Sequence, residues 1–366
     1  MHVILFSIGL PGHFAEWCDA VMARLASHAG GAVVAVTFPP LKDMFGYDGI
    51  SSTLDEIGRV LIGNNADHLV IGARQPDETL RNALAERNTP FLVVLDDPRN
   101  AAADILAETG ADPKMVVRAV ANSCPLVMQY YRLPGALTLH AHRVRTDPAG
   151  SVSAIAAHFG IAVEPDAVAA IVNELAAPGT RALLPGSDES AARLPAATRK
   201  MFDGALQGYR DLFFDGRLDQ IIWTRDLFYL AIDAGRSPTD LIEVAGGSRI
   251  LIYGPYIHLP RGSWTARVVL GFSQEAAGHT FLIDVFADTQ LASTTFQPEG
   301  AGIYTADLTF SLGEPSGKGV EVRVMVVSDN AQGQLAFGHV VLKPLAMRHT
   351  DAANAAGDDF TLALAI

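Results

Sequence analysis

Val3-Ile-Leu-Phe-Ser-Ile-Gly-Leu-Pro-Gly-His-Phe-Ala-Glu-Trp17 places an apolar run, a Gly/Pro loop and the start of a helical pattern in succession. A run such as Val3–Ile8 fits a strand buried on both faces, as in parallel sheets. The loop after it brings backbone N–H groups and a helix dipole to the strand end, where an anion can be held. Gly9 and Gly12 make that loop sterically possible, but no Gly-Lys-Ser/Thr closes it into a Walker loop. Taken alone, the stretch serves a phosphate cradle and a ligand-free connector equally well.

The same rhythm continues outward. Val33–Phe38, His68–Ile71, Phe91–Leu95 and Ala136–His140 are further strand candidates, with helical patterns at Trp17–Ala26, Asp77–Glu86, Ala149–Phe159 and Asp166–Leu175. This alternation predicts an α/β domain, a parallel sheet covered on both faces to give three layers. Ala177–Pro195 is rich in Pro, Gly and Ser and reads as a linker or surface excursion, after which Ala196–Phe214 resumes as an amphipathic helix. From Arg249 the pattern alternates with period two. Trp264–Phe272, Thr280–Ala287, Gly302–Phe310, Val320–Val327 and Leu335–Leu342 follow one another without helices between them, which predicts an all-β sandwich. The expected domains are 1–235 (α/β), 236–346 (β-sandwich) and a loosely attached tail, 347–366.

Composition narrows the function. The 366 residues carry 27 Lys and Arg against 40 Asp and Glu, a formal charge of −13, so no broad surface attracts nucleic acid or anionic lipid. Two cysteines, Cys18 and Cys124, lie in apolar surroundings and cannot build a disulfide framework, which points to the cytoplasm. The first apolar run is broken by Pro11-Gly12 and lacks the flanks of a signal peptide, and no later run has the ~18 residues of a membrane helix. No direct membrane insertion is expected.

Four stretches resemble the PAPS-dependent sulfotransferases of bacteria. In that family the first-strand loop has the form G-x-P-R-S-G-T-T-W and wraps the 5′-phosphosulfate of the donor; Gly9, Pro11 and Trp17 fall in register with it. Phe91-Leu-Val-Val-Leu-Asp-Asp-Pro-Arg-Asn100 resembles the strand ending in R-D-P-R-D that meets the donor's 3′-phosphate. Asp147-Pro148 with Ile155-Ala-Ala-His-Phe-Gly-Ile161 resembles a later D-P-x…L-x-x-F-L-G-I segment, and Pro165–Glu174 the acidic helix after it. The resemblance covers roughly residues 1–175. It implies a P-loop-like sulfotransferase fold, with Gly9, Pro11, Gly12, His13, Phe14, Ala15 and Arg99 at the donor site.

Departures from the family pattern fall on the charged positions. Gly12 stands where the family has Arg, His13 where it has Ser, and Phe14, Ala15 and Glu16 replace Gly-Thr-Thr. Asp96 replaces the Arg of the second motif and Asp104 its Ser. Carboxylates a few Å from a bound anion oppose it by roughly 1–4 kcal/mol in a partly solvated site, so PAPS in the usual pose is expected to bind very poorly. The family's catalytic base has no counterpart in Ala35-Val-Thr-Phe-Pro-Pro40. His13 and Glu16 remain as candidates, with Asp43 more remote, against a plain capping role at the first helix.

Other constellations are weaker. His140 and His142 fall on one side of an extended segment, and Asp96 and Asp97 would add carboxylates, but a third ligand is missing from the window and no metal is expected. Ser123-Cys124 and Ser187 lack the setting of a nucleophile. Trp223-Thr-Arg-Asp-Leu-Phe-Tyr229 reads as an anchor between domains or a ligand contact. In Tyr253-Gly-Pro-Tyr-Ile-His-Leu-Pro-Arg-Gly-Ser-Trp264, which resembles a β-sandwich module of bacterial polysaccharide-related proteins, Tyr253, Tyr256 and Trp264 are either core or platforms for a sugar, with His258 or Arg261 as hydrogen-bonding neighbours.

The expectation is a sulfotransferase-like protein with an altered PAPS site, non-catalytic and without a cofactor, that binds a cell-surface polysaccharide or works with its synthetic machinery. The alternatives are an active PAPS-dependent carbohydrate sulfotransferase, and a structural protein forming homo-oligomers through its sandwich.

Overall fold

A computed structural model describes residues 3–39, 44, 55, 58–59, 66–176, 189–233, 236–238, 240–313 and 319–345. Asp43, Ser187, most of the linker passage and the tail lie outside them. The contact pattern divides the chain into Met1–Asp203 and Gly204–Ile366.

The first unit contains β1 (Val3–Gly9), α1 (His13–His28), β2 (Val33–Phe38), β3 (His68–Ala73), α2 (Glu78–Arg87), β4 (Phe91–Leu95), α3 (Pro98–Thr109), α4 (Pro113–Met128), β5 (Ala136–His140), α5 (Ala141–Thr146), α6 (Pro148–His158) and α7 (Pro165–Ala176). Its five strands form one parallel sheet in the order β2-β3-β1-β4-β5. The expected α/β class is met. β4 is buried at every residue and β2, at the edge, is half open, which is what their continuous and alternating patterns require. Phe14, Trp17, Val21, Met22 and Leu25 of α1 pack on Leu5, Val70, Leu92 and Val94 of the sheet and on Val152, Ile155 and Ile171 of α6 and α7. Each such side chain, fully buried, stabilises the unit by roughly 1.5–3 kcal/mol.

Helix α1 begins at His13, earlier than the periodicity predicts, because Phe14 and Ala15 already face the core. α3 and α4 escape the sequence reading altogether. Each starts on an Asp-Pro pair, Asp97-Pro98 and Asp112-Pro113, whose Asp carboxylate accepts from a backbone N–H two residues on while Pro occupies the first turn. Along α4, Val116–Ala121 and Ser123–Val127 are buried, Arg118 among them.

The sheet order sets the position of the site. After β1 the chain crosses to β2 on one side, and after β3 it passes over β1 to β4 on the other. The carboxyl ends of β1 and β4 therefore flank the switch point, where open α/β sheets hold ligands. The loop at residues 10–12 and the Asp96-Asp97 turn meet there.

α8 (Ala196–Asp215) leads into β6 (Ile221–Thr224), β7 (Tyr229–Leu230), β8 (Ile242–Glu243), β9 (Arg249–Tyr253), β10 (Pro255–Ile257), β11 (Gly262–Phe272), β12 (Phe281–Ala287), β13 (Thr289–Phe296), β14 (Gly302–Leu312), β15 (Val320–Val326) and β16 (Gln334–Pro344). These form two antiparallel sheets: β13-β12-β15-β9-β7, with β10 on β15, and β14-β11-β16-β6, with β8 on β16. The all-β class is met as well. Along β11, Trp264, Ala266, Val268, Leu270 and Phe272 point inward in strict alternation.

β6 pairs with β16, Trp223 opposite Val340, so residues 221–224 belong with the β-sheets, ahead of the expected domain boundary at 235/236. Trp223 is fully buried beside Phe228, which in turn meets Phe337 at 4.6 Å, so this aromatic group completes the core of its own unit. Among the described residues no helix is long and apolar enough to cross a membrane.

Candidate functional site

Gly9 ends β1 opposite Val94 of β4, so close that a Cβ would stand 2.9 Å from the Val94 Cβ. Gly12 caps α1 with φ +139°, a conformation that L side chains rarely adopt, and a Cβ there would stand 3.3 Å from the Ala101 Cα of α3. No side chain caps the helix, so its first-turn N–H groups are left to the backbone and solvent. An Arg at position 12 would need a different backbone path.

The side chains then turn away from an anion. Phe14 and Ala15 are 1% and 2% exposed and belong to the core, with the Phe14 ring stacked on Trp17 at 6.4 Å. His13 reaches α3, its Nδ1 3.4 Å from Asp104 Oδ2 and its Nε2 3.7 Å from Glu108 Oε2. Residues 13 and 104, both departures from the family motif, are therefore partners of each other. Glu16 sits in the first turn of α1, where the dipole favours a carboxylate. With Pro11, Gly12, Thr37, Met44, Arg74 and Glu108 it lines a cleft of about 30 Å³, room for one water molecule.

The second motif closes in the same way. Asp97 caps α3 by accepting from the Arg99 N–H, and its carboxylate also takes the guanidinium at 3.0 Å from Nε and 2.6 Å from Nη2. Asp203 Oδ1 lies 3.5 Å from Nη1 of the same side chain. Arg99 is thus engaged by two carboxylates. Asp96 is 5% exposed and accepts from the Asp97 N–H at 2.8 Å. Burial, helped by the nearby Asp104 charge and opposed by the Asp97 N–H and Arg145, raises its carboxyl to about 7.

Under the loop lies a polar cluster that the sequence reading missed. Arg74, 2% exposed at the end of β3, donates to Asp19 of α1 and, at 3.3 Å, to Ser7 of β1; the Ser7 hydroxyl donates to Asp19 as well. Burial pushes the Asp19 carboxyl up against the pull of Arg74 and the Ser7 and Thr37 hydroxyls. An Arg directly after the apolar run His68–Ala73 is the only hint of it in the sequence, because its partners are 55 and 67 residues away.

The other candidates take structural places. His140 caps α5, its ring 5.7 Å from that of His142; burial and Arg143 lower the first to about 4, and burial and the flanking arginines lower the second. Among the described residues no group of three His, Cys, Asp or Glu side chains is placed to hold a metal ion. Ser123 and Cys124 donate to backbone carbonyls inside α4, and burial raises the Cys124 thiol. Trp264 is 1% exposed with its Nε1–H donating to the Pro260 carbonyl, so it has no face to offer a sugar. Tyr253, half-buried, lies between Tyr229 at 5.6 Å and Tyr256 at 6.1 Å; His258 is half-buried and Arg261 exposed.

The residues at the switch point do not fit PAPS. A donor with phosphate at both ends of its ribose requires cations and room. Here the cleft has room for one water, Glu16 and Glu108 line it, and the nearby cations are engaged, Arg99 by Asp97 and Asp203 and Arg74 by Asp19.

No protein family and no curated protein matches the chain in sequence. Solved structures similar to part of it include mouse sulfotransferase SULT7A1 complexed with PAP, at 13% identity over 55% of this chain and 82% of that one, with a TM-score of 0.38. A sulfotransferase from Alicyclobacillus acidocaldarius aligns at 16% identity over 53% of this chain and 98% of its own, with a TM-score of 0.31. A family 16 carbohydrate binding module aligns at 13% identity over 27% of this chain and 73% of its own, with a TM-score of 0.21.

Proposed function

We propose that the chain is a sulfotransferase-like protein that has lost sulfuryl transfer and acts by binding, with cell-surface polysaccharide as the ligand class. The observation that carries the first part is the pairing of His13 with Asp104 and Glu108 above a one-water cleft. In this reading Asp104 and Glu108 put carboxylates on the side of the cleft where the donor's anions would have to sit, and an anion there would be opposed. Loss of the donor site leaves no chemistry for His13 or Glu16 to assist.

The polysaccharide part rests on Tyr253 and Tyr256, the half-buried tyrosines of the β-sheets singled out in the sequence. Flat aromatic rings with hydrogen-bonding neighbours suit the apolar face of a sugar.

One observation favours a second reading, an active enzyme that seats the donor on backbone alone. The N-terminus of α1 carries no side-chain cap, and Gly12 keeps backbone close to the strand end. Calorimetric titration with PAP, the desulfated product of the donor, separates the two.

A further inference from the structure

We propose that the gap between edge strands β13 and β14 is a binding site for an uncharged glycan segment. The proposal rests on the carbohydrate part of the preceding reading and moves the site away from Tyr253, Tyr256 and Trp264. β13 closes one sheet and β14 the other; they lie side by side without sharing a ladder. The gap encloses about 400 Å³, within the range of small-ligand sites and enough for a mono- or disaccharide.

Its floor is apolar and fixed. Leu270 of β11 lies at the bottom, and two half-buried rings line the cavity, Phe296 from β13 and Tyr304 from β14. Phe296 is stacked on Phe281 at 5.9 Å and meets the edge of Phe272 at 5.6 Å, while Tyr304 meets Phe272 at 5.8 Å. The Tyr304 hydroxyl both accepts from the Gly300 N–H and donates to the Gly300 carbonyl, so neither ring has to be ordered on binding. Over this floor stand the polar side chains of Thr294, Gln297, Glu299 and Thr305. Rigid rings below and hydroxyl, amide and carboxylate groups above match a pyranose, which has a C–H face and equatorial hydroxyls.

Charge selects within that class. The formal charges in the lining are the carboxylates of Glu299 and Asp307, and the guanidinium that touches the rim, Arg267, is held by Asp307 through two 2.8 Å hydrogen bonds. A sulfated or uronic segment meets the Glu299 carboxylate and a guanidinium already taken up by Asp307, and is disfavoured.

The test is titration calorimetry of the full chain with cellotriose, maltotriose and chitotriose, and with lactose sulfate as the anionic counterpart. Thr305→Trp, at an exposed strand position, blocks the gap, and Glu299→Ala trims its rim without touching the core. At least one neutral sugar is expected to bind, about tenfold or more weaker in Thr305→Trp and measurably weaker in Glu299→Ala, and unchanged in Tyr256→Ala. Unchanged binding in both gap variants, with loss in Tyr256→Ala, overturns this site while sparing the carbohydrate reading. Tighter binding of lactose sulfate than of any neutral sugar overturns the charge argument and the proposal with it. A wild-type chain that binds none of the four overturns the carbohydrate reading itself.

Discussion

His13 Nδ1 stands 3.4 Å from Asp104 Oδ2, joining the first turn of α1 to the middle of α3. Set against the sulfotransferase resemblance, each stands where a small hydroxyl residue is expected, one an imidazole and the other a carboxylate. Together they form a contact that fills the space between two helices, and Glu108 extends it at 3.7 Å. A double-mutant cycle with His13→Ala and Asp104→Ala should give a coupling of about 0.5–1.5 kcal/mol in urea unfolding, because the pair is only partly shielded from water. Additive single effects would mean that the two side chains merely sit near one another.

Gly12→Arg restores the charge of the sulfotransferase pattern, and it should fail to restore an anion site. The φ of +139° and the 3.3 Å approach to Ala101 predict a loss of roughly 1–3 kcal/mol in stability with no gain in affinity for PAP or inorganic sulfate. Stability equal to wild type, measured by thermal or denaturant unfolding, would show that the loop readily takes another path.

Asp96 makes stability depend on pH. Its carboxyl is raised from the ordinary value near 3.8 to about 7, so the folded chain binds a proton that the unfolded chain has released. The contribution is fully present below about pH 4 and is lost as pH rises through 7. His140, lowered to about 4, acts in the opposite sense: stability falls as pH drops from about 6.5 toward 4. Asp96→Asn removes the first slope and leaves the second. The variant should gain on the order of 2–4 kcal/mol over wild type above pH 7 and nothing below pH 4, read from urea midpoints across that range.

Arg74→Met should be among the most damaging single changes in the first unit. It strands the Asp19 carboxylate among buried groups, with an expected loss of about 3–5 kcal/mol, and Asp19→Asn added to it should recover part of that loss. A change under 1 kcal/mol for Arg74→Met would show that water reaches Asp19.

How much of this could be read from the sequence differs by element. β1, β2 and β4 were legible as largely apolar runs, although the structure buries β4 throughout and leaves the edge strand β2 half open. β13, Thr289-Gln-Leu-Ala-Ser-Thr-Thr-Phe296, carries no such signal: it is largely polar and becomes a strand through its ladder with β12. α3 and α4 were passed over although each opens on an Asp-Pro pair that caps a helix. At the site, His13, Glu16, Asp96 and Asp104 stood out because they depart from a motif with fixed spacing, and Arg99 because it keeps that motif. Glu108 and Asp19 are joined to it only through folding, and Arg74 is hinted at only by its place directly after an apolar run.

We propose that the switch point does not hold an anionic nucleotide donor. Titration calorimetry of the full chain with PAP at low ionic strength tests it most directly. The predicted result is no saturable heat up to millimolar PAP, a dissociation constant weaker than about 1 mM. A sub-millimolar constant that is lost when free PAP is replaced by adenosine would contradict the account, since it would show that Glu16, Asp96 and Asp104 do not keep the phosphates out.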